Sequence, residues 1–214
     1  MGYCSLVYLW FFGRICDLRG KNAFRPHEAI SAEVIFELFL SLALDQSKQL
    51  AKLVARRAIQ TTDTQRTHLP LDKNKRLLVV VLRPHQTHLD PAVLPLGAFV
   101  KNLFSQCQYV ELPPSSTTVD YDRIQQQGLE TEQVVIAMVV KPAAWHRFGL
   151  LPEQDNFVRD LISRRDYILV SLGSPVALES YSAASERIGT FSDVYGSQEA
   201  LAEYLCGNSS HLKA

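Results

Sequence analysis

The sequence lacks several features that mark common functional classes. Its 22 Lys and Arg residues are balanced by 22 Asp and Glu residues, so no net field draws the chain to nucleic acid or to an anionic membrane. It has no dinucleotide-binding glycine fingerprint, no G-x-x-x-x-G-K loop and no G-x-S-x-G nucleophile elbow. The four cysteines (Cys4, Cys16, Cys107 and Cys206) form no C-x-x-C pair, which argues against a zinc site or a disulfide framework. We therefore expect no nucleic acid partner, no metal and no cofactor.

The N-terminal region also lacks the marks of a membrane span or a secretory signal. Residues 3–12, YCSLVYLWFF, fall far short of the roughly 20 residues that a spanning helix needs. Arg14 and Arg19 follow this run, whereas a signal peptide carries its positive charge before it. We interpret residues 1–42 as an apolar and helical segment, the remnant of a missing domain, and residues 43–214 as the folded domain. The compartment stays undetermined, with the cytoplasm favoured.

The apolar runs 3–12 and 35–42 have no evident partner within the domain that follows. We expect them to form an exposed hydrophobic surface of several hundred Å² in order of magnitude, which is more than a soluble monomer usually leaves bare. Such a surface would meet another domain, a second copy or a membrane surface. Membrane contact is the least favoured of the three.

From residue 43 onward, apolar strand-like runs alternate with amphipathic helical patterns. RLLVVVL at 76–82 is a continuous branched apolar run, the mark of a strand that is buried on both faces. Short connections between strands and helices predict an α/β fold, a mainly parallel sheet sandwiched between helices in three layers. The predicted strands are 76–82, 108–112, 134–140, 167–172 and 187–191, and the predicted helices are 46–60, 93–105, 121–129, 152–164, 176–181 and 197–206. An apolar helical run at 29–44 precedes the first of these helices, and Asp45 between them is placed to cap it.

In such a sheet, ligands gather where the strands end, and the first strand end is rich in polar residues. His85 is followed five positions later by Asp90, with His88 between them. This H-x-x-x-x-D spacing resembles the first block of glycerol-phosphate acyltransferases, in which the His accepts a proton and the carboxylate orients it. No downstream Glu-Gly pair follows. A solvated loop is the alternative reading, and neighbouring prolines argue against a helical metal site at His85 and His88.

The two later strand ends suggest ligand-facing loops. Trp145, His146 and Arg147 combine groups that stack on sugar rings and bond their hydroxyls, although Trp145 can equally close the core. Gly173 permits a tight exit from its strand, and Ser174 is placed to cap the next helix, with Pro175 in its first position.

The ordered set LAKLVARRAI, KRLLVVVLRP, FGLLPEQDNFVRDL, YILVSLGSPVAL and YGSQEALAEYLCG resembles the C-terminal α/β domain of family 3 glycoside hydrolases, in particular the β-N-acetylhexosaminidase-like branch. The resemblance implies an accessory domain, because that family's Asp nucleophile and His proton donor belong to an N-terminal barrel. The barrel's Lys-His-Phe-Pro-Gly type segment does not occur here. We therefore carry over no catalytic residue.

Three functions stay open at this stage. The first is a non-catalytic accessory domain that takes part in carbohydrate hydrolysis only with a glycosidase barrel. The second is an acyltransferase-like enzyme that uses His85 and Asp90. The third is a free-standing module that binds carbohydrate or another protein, including a second copy of itself.

Overall fold

The computed structural model describes residues 32–61, 69–141 and 149–208. The chain divides into two compact units, residues 1–46 and 47–214. The described part of the first unit belongs to helix α1 (Ala32–Arg57), which continues into the second unit. The predicted apolar surface of residues 3–12 and 35–42 lies outside the residues whose side chains are described.

The second unit is built on one six-stranded sheet in the order β1-β6-β5-β4-β2-β3. Strands β2 to β6 run parallel, and the short β1 pairs antiparallel with β6 at one side. The strands are β1 (Gln60–Thr61), β2 (Leu77–Leu82), β3 (Cys107–Leu112), β4 (Gln133–Val140), β5 (Ile168–Gly173) and β6 (Glu186–Gly189).

Helices cover both faces of this sheet because the strand side chains are apolar on both faces. Besides α1, the helices are α2 (Leu96–Leu103), α3 (Thr118–Glu130), α4 (Pro152–Arg164), a 3-10 helix (Pro175–Ser180) and α5 (Tyr195–Leu205). Val79 and Val81 share one core with α1, α2 and α5, and Leu78 and Val80 share the other with α3 and α4. This arrangement confirms the predicted three-layer α/β fold.

Two local predictions were wrong. A separate helix at 46–60, capped by Asp45, was predicted, but Asp45 lies inside the continuous helix α1. Ser174 does precede a helix that has Pro175 at its start, yet that helix is 3-10 and the Ser174 side chain makes no capping bond. None of the helices in the described ranges combines the length and the hydropathy that a membrane crossing requires.

Candidate functional site

The strand order places the topological switch point of the sheet between β2 and β4. The chain leaves β2 toward β3 on one side and then returns to form β4 on the other side of β2. Open α/β sheets typically bind ligands outside the carboxyl ends of the strands at such a switch point. We call the end of the sheet at which the parallel strands finish the carboxyl edge. The candidate site lies there.

Lys141, the first residue after β4, connects two loops across the carboxyl edge. Its Nζ lies 3.2 Å from Asp90 Oδ1 in the β2–α2 loop and 2.6 Å from Asp193 Oδ2 in the β6–α5 loop. Burial alone would lower the pKa of Lys141, but the carboxylates of Asp193 and Asp90 together raise it above its ordinary value. The lysine is therefore held as a cation and is unsuited to act as a base or a nucleophile.

Asp90 is fixed by its own loop as well as by Lys141. Its Oδ2 accepts hydrogen bonds from the Thr87 backbone N–H (2.7 Å) and the Thr87 hydroxyl (2.9 Å). These bonds, the backbone one above all, together with Lys141 lower the pKa of Asp90 to about 2. Asp90 is consequently an anion throughout the ordinary pH range.

A buried ion pair at the base of the same loop holds it against the sheet. Arg83 is 3% exposed, and its Nη1 donates to Glu111 Oε2 (2.8 Å) and to the carbonyl of Pro91 (3.0 Å). The other oxygen of Glu111 accepts from the Leu94 N–H and the Tyr109 hydroxyl, each at 2.6 Å. Burial and the contact with Glu111 raise the pKa of Tyr109 well above its usual range, so the phenol remains a donor.

The β6–α5 loop is fixed by Gln198, which is buried. Gln198 accepts from the Leu96 N–H at the start of α2 (2.8 Å) and donates to the carbonyl of Asp193. In the same loop, Phe191 adopts φ 60° with a side chain that is 49% exposed. A positive φ at an aromatic residue is uncommon and stores strain where the surrounding structure imposes it.

The structure does not form the His85–Asp90 pair that an acyltransferase-like mechanism would use. Within the described residues, the hydrogen bonds of Asp90 come from Thr87 and Lys141, rather than from His85. His85 is half-buried and His88 is exposed in the same loop. No group of three or more His, Cys, Asp or Glu side chains is arranged to hold a metal ion in the described part of the chain.

The other predicted site residues are divided between described and undescribed segments. Trp145, His146 and Arg147 lie outside the described residues. Gly173 has φ 129°, and a Cβ there would lie 1.9 Å from the Val140 carbonyl oxygen, so only glycine fits. The Ser174 carbonyl accepts a hydrogen bond from the Ser171 hydroxyl at 2.7 Å, and this bond connects the last part of β5 to the turn that follows it.

The sequence places Lys141 directly after the predicted strand 134–140, at the same edge as Asp90, but no role in the site was predicted for it. Asp193 and Phe191 were missed. Asp193 follows the predicted strand 187–191, and the rule that parallel strands end at one edge would have grouped it with Asp90. No local signal marks Phe191, because phenylalanine is not a residue that favours positive φ.

Exposed apolar side chains lie at the same edge of the sheet as these charges. Outside α1, every large hydrophobic side chain that is exposed in the described ranges, except Leu129, lies in the loops and first helical turns at the carboxyl edge. Contiguous exposed apolar patches, unlike apolar side chains scattered singly, are typical of interaction sites. The members of this apolar rim are Leu89, Val93, Val119, Val176, Phe191, Val194 and Tyr195.

No protein-family model and no curated protein matches the chain, but solved structures share its fold. A family 3 β-N-acetylglucosaminidase from Paenibacillus sp. superposes with a TM-score of 0.62 at 16% identity, covering 94% of this chain and 36% of the enzyme. A β-glucosidase from Listeria innocua in complex with glucose gives 0.59 at 14% identity, over 77% of this chain and 26% of the enzyme. A β-glucoside phosphorylase gives 0.55 at 17% identity, over 77% and 30%.

The chain thus has the fold of a part of family 3 glycosidases, as its sequence pattern predicted. It spans only about a quarter to a third of the length of these structures. Because their named activities differ, the shared fold does not select among glucosaminidase, glucosidase and phosphorylase chemistry.

Proposed function

We propose that this chain is a non-catalytic accessory domain of the β-N-acetylhexosaminidase-like branch of family 3 glycosidases. It acts in carbohydrate hydrolysis when its carboxyl edge packs against a catalytic barrel, supplied by a longer chain or by a separate one. In this proposal, residues 43–214 form the accessory domain, and residues 1–42 are a separate apolar and helical segment, the remnant of another domain.

The observation that carries the proposal is the composition of the carboxyl edge. Its central charged groups are engaged with one another, since Lys141 pairs with both Asp90 and Asp193. Glycoside hydrolysis with retention needs two catalytic groups about 5–5.5 Å apart that flank a sugar, and a carboxylate whose pKa is lowered to about 2 is a poor proton donor. An edge of paired charges within an apolar rim is instead suited to contact with a protein surface.

The contacts of Asp90 argue against the acyltransferase-like alternative. The acyltransferase-like reading requires Asp90 to orient His85, but Asp90 is engaged by Thr87 and Lys141. The free-standing module remains the second candidate. It is favoured by the same apolar rim, which a second copy of the chain would cover equally well.

Activity measurements on the purified chain test the proposal. We expect no hydrolysis of aryl β-N-acetylglucosaminide or aryl β-glucoside by the chain alone, and hydrolysis when a barrel domain from a family 3 β-N-acetylglucosaminidase is added. Phe191→Asp should abolish this gain because it places a charge in the apolar rim. Leu129→Asp is the matched control, since Leu129 is exposed in the last turn of α3, away from the carboxyl edge.

Turnover by the chain alone that is lost in Asp90→Asn would refute the accessory role. Equal loss in Phe191→Asp and Leu129→Asp would refute docking through the carboxyl edge. If the chain dimerises through Phe191 and gains no activity with a barrel, the free-standing module replaces the proposal.

A further inference from the structure

Strand β3 forms one edge of the sheet as the structure describes it. The opposite edge is β1, which has two residues, whereas β3 has six. Proteins commonly protect an edge strand from pairing with other chains by making it short or by placing lysine or proline in it. The β3 sequence, CQYVEL, contains neither of these residues. The edge at β3 is therefore suited to pairing with a further strand.

The backbone of β3 presents unused hydrogen-bonding groups on its outer side. At its two ends, the carbonyls of Gln106 and Leu112 accept from the β2 side of the ladder. Because backbone groups alternate in direction along a strand, the even-numbered residues face β2, and the N–H and C=O groups of Cys107, Tyr109 and Glu111 face away from it. Within the described residues, these outward groups have no hydrogen-bond partner.

The side chains of β3 leave this outer side accessible. Gln108 is exposed, and Tyr109 and Val110 are half-buried, so α2 and α3 do not enclose the strand. Glu111 is the one charged residue of β3, and its side chain is already buried beside Arg83. Strand pairing at this edge consequently removes no unpaired charge from water.

We propose that β3 pairs antiparallel with β3 of a second copy of the chain, about a two-fold axis at Tyr109. In this register, the outward groups of Tyr109 bond those of Tyr109 in the second copy, and the outward groups of Cys107 bond those of Glu111. The contact contains about six backbone hydrogen bonds. It uses the same surface of both copies, as two-fold dimers do.

The side chains are complementary in this register. The two Tyr109 rings lie across from each other, and aromatic pairs between neighbouring strands are stabilising. Glu111 lies opposite Cys107, so the two carboxylates do not face each other. Burial raises the pKa of the Cys107 thiol to about 11, and the charge of Lys101 opposes this rise, which shows that Lys101 is near Cys107. Lys101 therefore approaches Glu111 of the second copy, and opposite charges meet across the contact.

The size of the contact sets the expected affinity. Interfaces contain about one hydrogen bond per 100–200 Å², so about six bonds correspond to roughly 600–1,200 Å² of buried surface. Contacts of this size belong to weak or transient complexes, and we expect a Kd of roughly 10–100 μM. The pairing leaves Phe191, which follows β6 on the other side of the sheet, uncovered. It does not depend on the accessory role.

Sedimentation equilibrium of the full chain in a reducing buffer, from about 1 μM to about 1 mM, measures the association. Cys107→Pro should weaken it at least about tenfold, because proline removes the outward N–H from each copy and an edge position tolerates proline. Cys107→Val is the matched control, since it removes the thiol and keeps the N–H, and it should associate like the unchanged chain. Phe191→Asp should also leave the association unchanged.

Amide hydrogen exchange followed by NMR tests the register. The outward amides of Cys107, Tyr109 and Glu111 should exchange more slowly as the protein concentration rises, whereas those of Gln108 and Val110, which face β2, should not change. If circular dichroism shows that Cys107→Pro does not fold, Gln108→Lys is the second variant. It places a lysine on the exposed edge and should weaken association at least about threefold, less so at high salt.

Concentration-dependent dimers that are weakened by Cys107→Pro or Gln108→Lys and kept in Cys107→Val and Phe191→Asp support the pairing. A chain that remains monomeric at about 1 mM refutes it. So does a dimer that Phe191→Asp abolishes, which would belong to the carboxyl edge, or one that Cys107→Val abolishes, which would depend on the thiol. Slower exchange of the outward amides only after a barrel domain is added would assign this edge to the barrel and also refute the proposal.

Discussion

Replacing Glu111 tests whether a buried charge pair holds the β2–α2 loop in its place at the carboxyl edge. Glu111 is the counter-ion of Arg83, which is 3% exposed, and it also accepts from Leu94 and Tyr109. Glu111→Ala would leave the guanidinium buried without its carboxylate. It would also remove the acceptor of two further hydrogen bonds.

The expected cost follows from these contacts. Removing one partner of a buried ion pair typically costs about 3–5 kcal/mol, because the remaining charge is left desolvated. Glu111→Gln keeps the shape and one acceptor oxygen, so we expect a smaller loss of about 1–3 kcal/mol. Against a total stability of about 5–15 kcal/mol for an ordinary domain, the loss in Glu111→Ala is large enough to measure without ambiguity.

Equilibrium urea denaturation of both variants measures these losses as shifts of the midpoint at constant slope. Glu132→Gln is the control: Glu132 pairs with Arg76 at 3.8 Å, with side chains 49% and 60% exposed, and an exposed pair contributes about 0–1 kcal/mol. A loss below about 1 kcal/mol in Glu111→Ala would show that Arg83 regains water easily. The claim that this pair fixes the loop would then be wrong.

Two further substitutions, Gly173→Ala and Asp90→Asn, have specific expected effects on the stability of the fold. Gly173→Ala should lower the free energy of unfolding, measured by urea denaturation, by at least about 3 kcal/mol, because Gly173 has φ 129° and an added Cβ would lie 1.9 Å from the Val140 carbonyl oxygen. Gly128→Ala is the control: its Cβ would have its nearest neighbour at 3.6 Å inside α3, so it should be neutral or stabilise by up to about 1 kcal/mol. Equal effects of the two substitutions would contradict the steric argument. The contacts of Asp90 lower its pKa in the folded chain to about 2 from an ordinary 3.8, so the stability that they contribute is present above about pH 4 and is lost as the pH falls toward about 2. Asp90→Asn should therefore make the free energy of unfolding less dependent on pH between about pH 4 and 2. An unchanged pH dependence in this range would show that the Thr87 and Lys141 contacts do not act in solution.

The sheet could be predicted from the sequence because its signals are local. The run LLVVVL in β2 is buried along its whole length, and branched apolar runs of this kind rarely form anything but interior strands. Helix α4 has the predicted bounds, with Pro152 at its start. Helix α1 was predicted as two helices because Asp45 resembles a cap, but an Asp inside a run of good helix formers costs less than 1 kcal/mol in order of magnitude, so the helix continues through it.

The site was only partly predictable because its contacts depend on strand order. Asp90 was selected correctly as a residue of the carboxyl edge, but its ion pair with Lys141 requires β4 to lie beside β2, with β3 on the far side. Hydrophobic periodicity gives the existence of strands and carries no information on their neighbours.

The bridge from Asp90 through Lys141 to Asp193 has a consequence for biosynthesis. Its three residues follow the first, a middle and the last of the parallel strands, so a ribosome delivers them at widely separated times. Contacts of such high sequence separation form late, after the entropy of closing the intervening chain has been offset by the sheet. Until β6 and α5 have emerged, Lys141 lacks Asp193 as a partner and the edge of β5 that pairs with β6 is left open. Such a nascent intermediate is the state most exposed to aggregation and to chaperone binding.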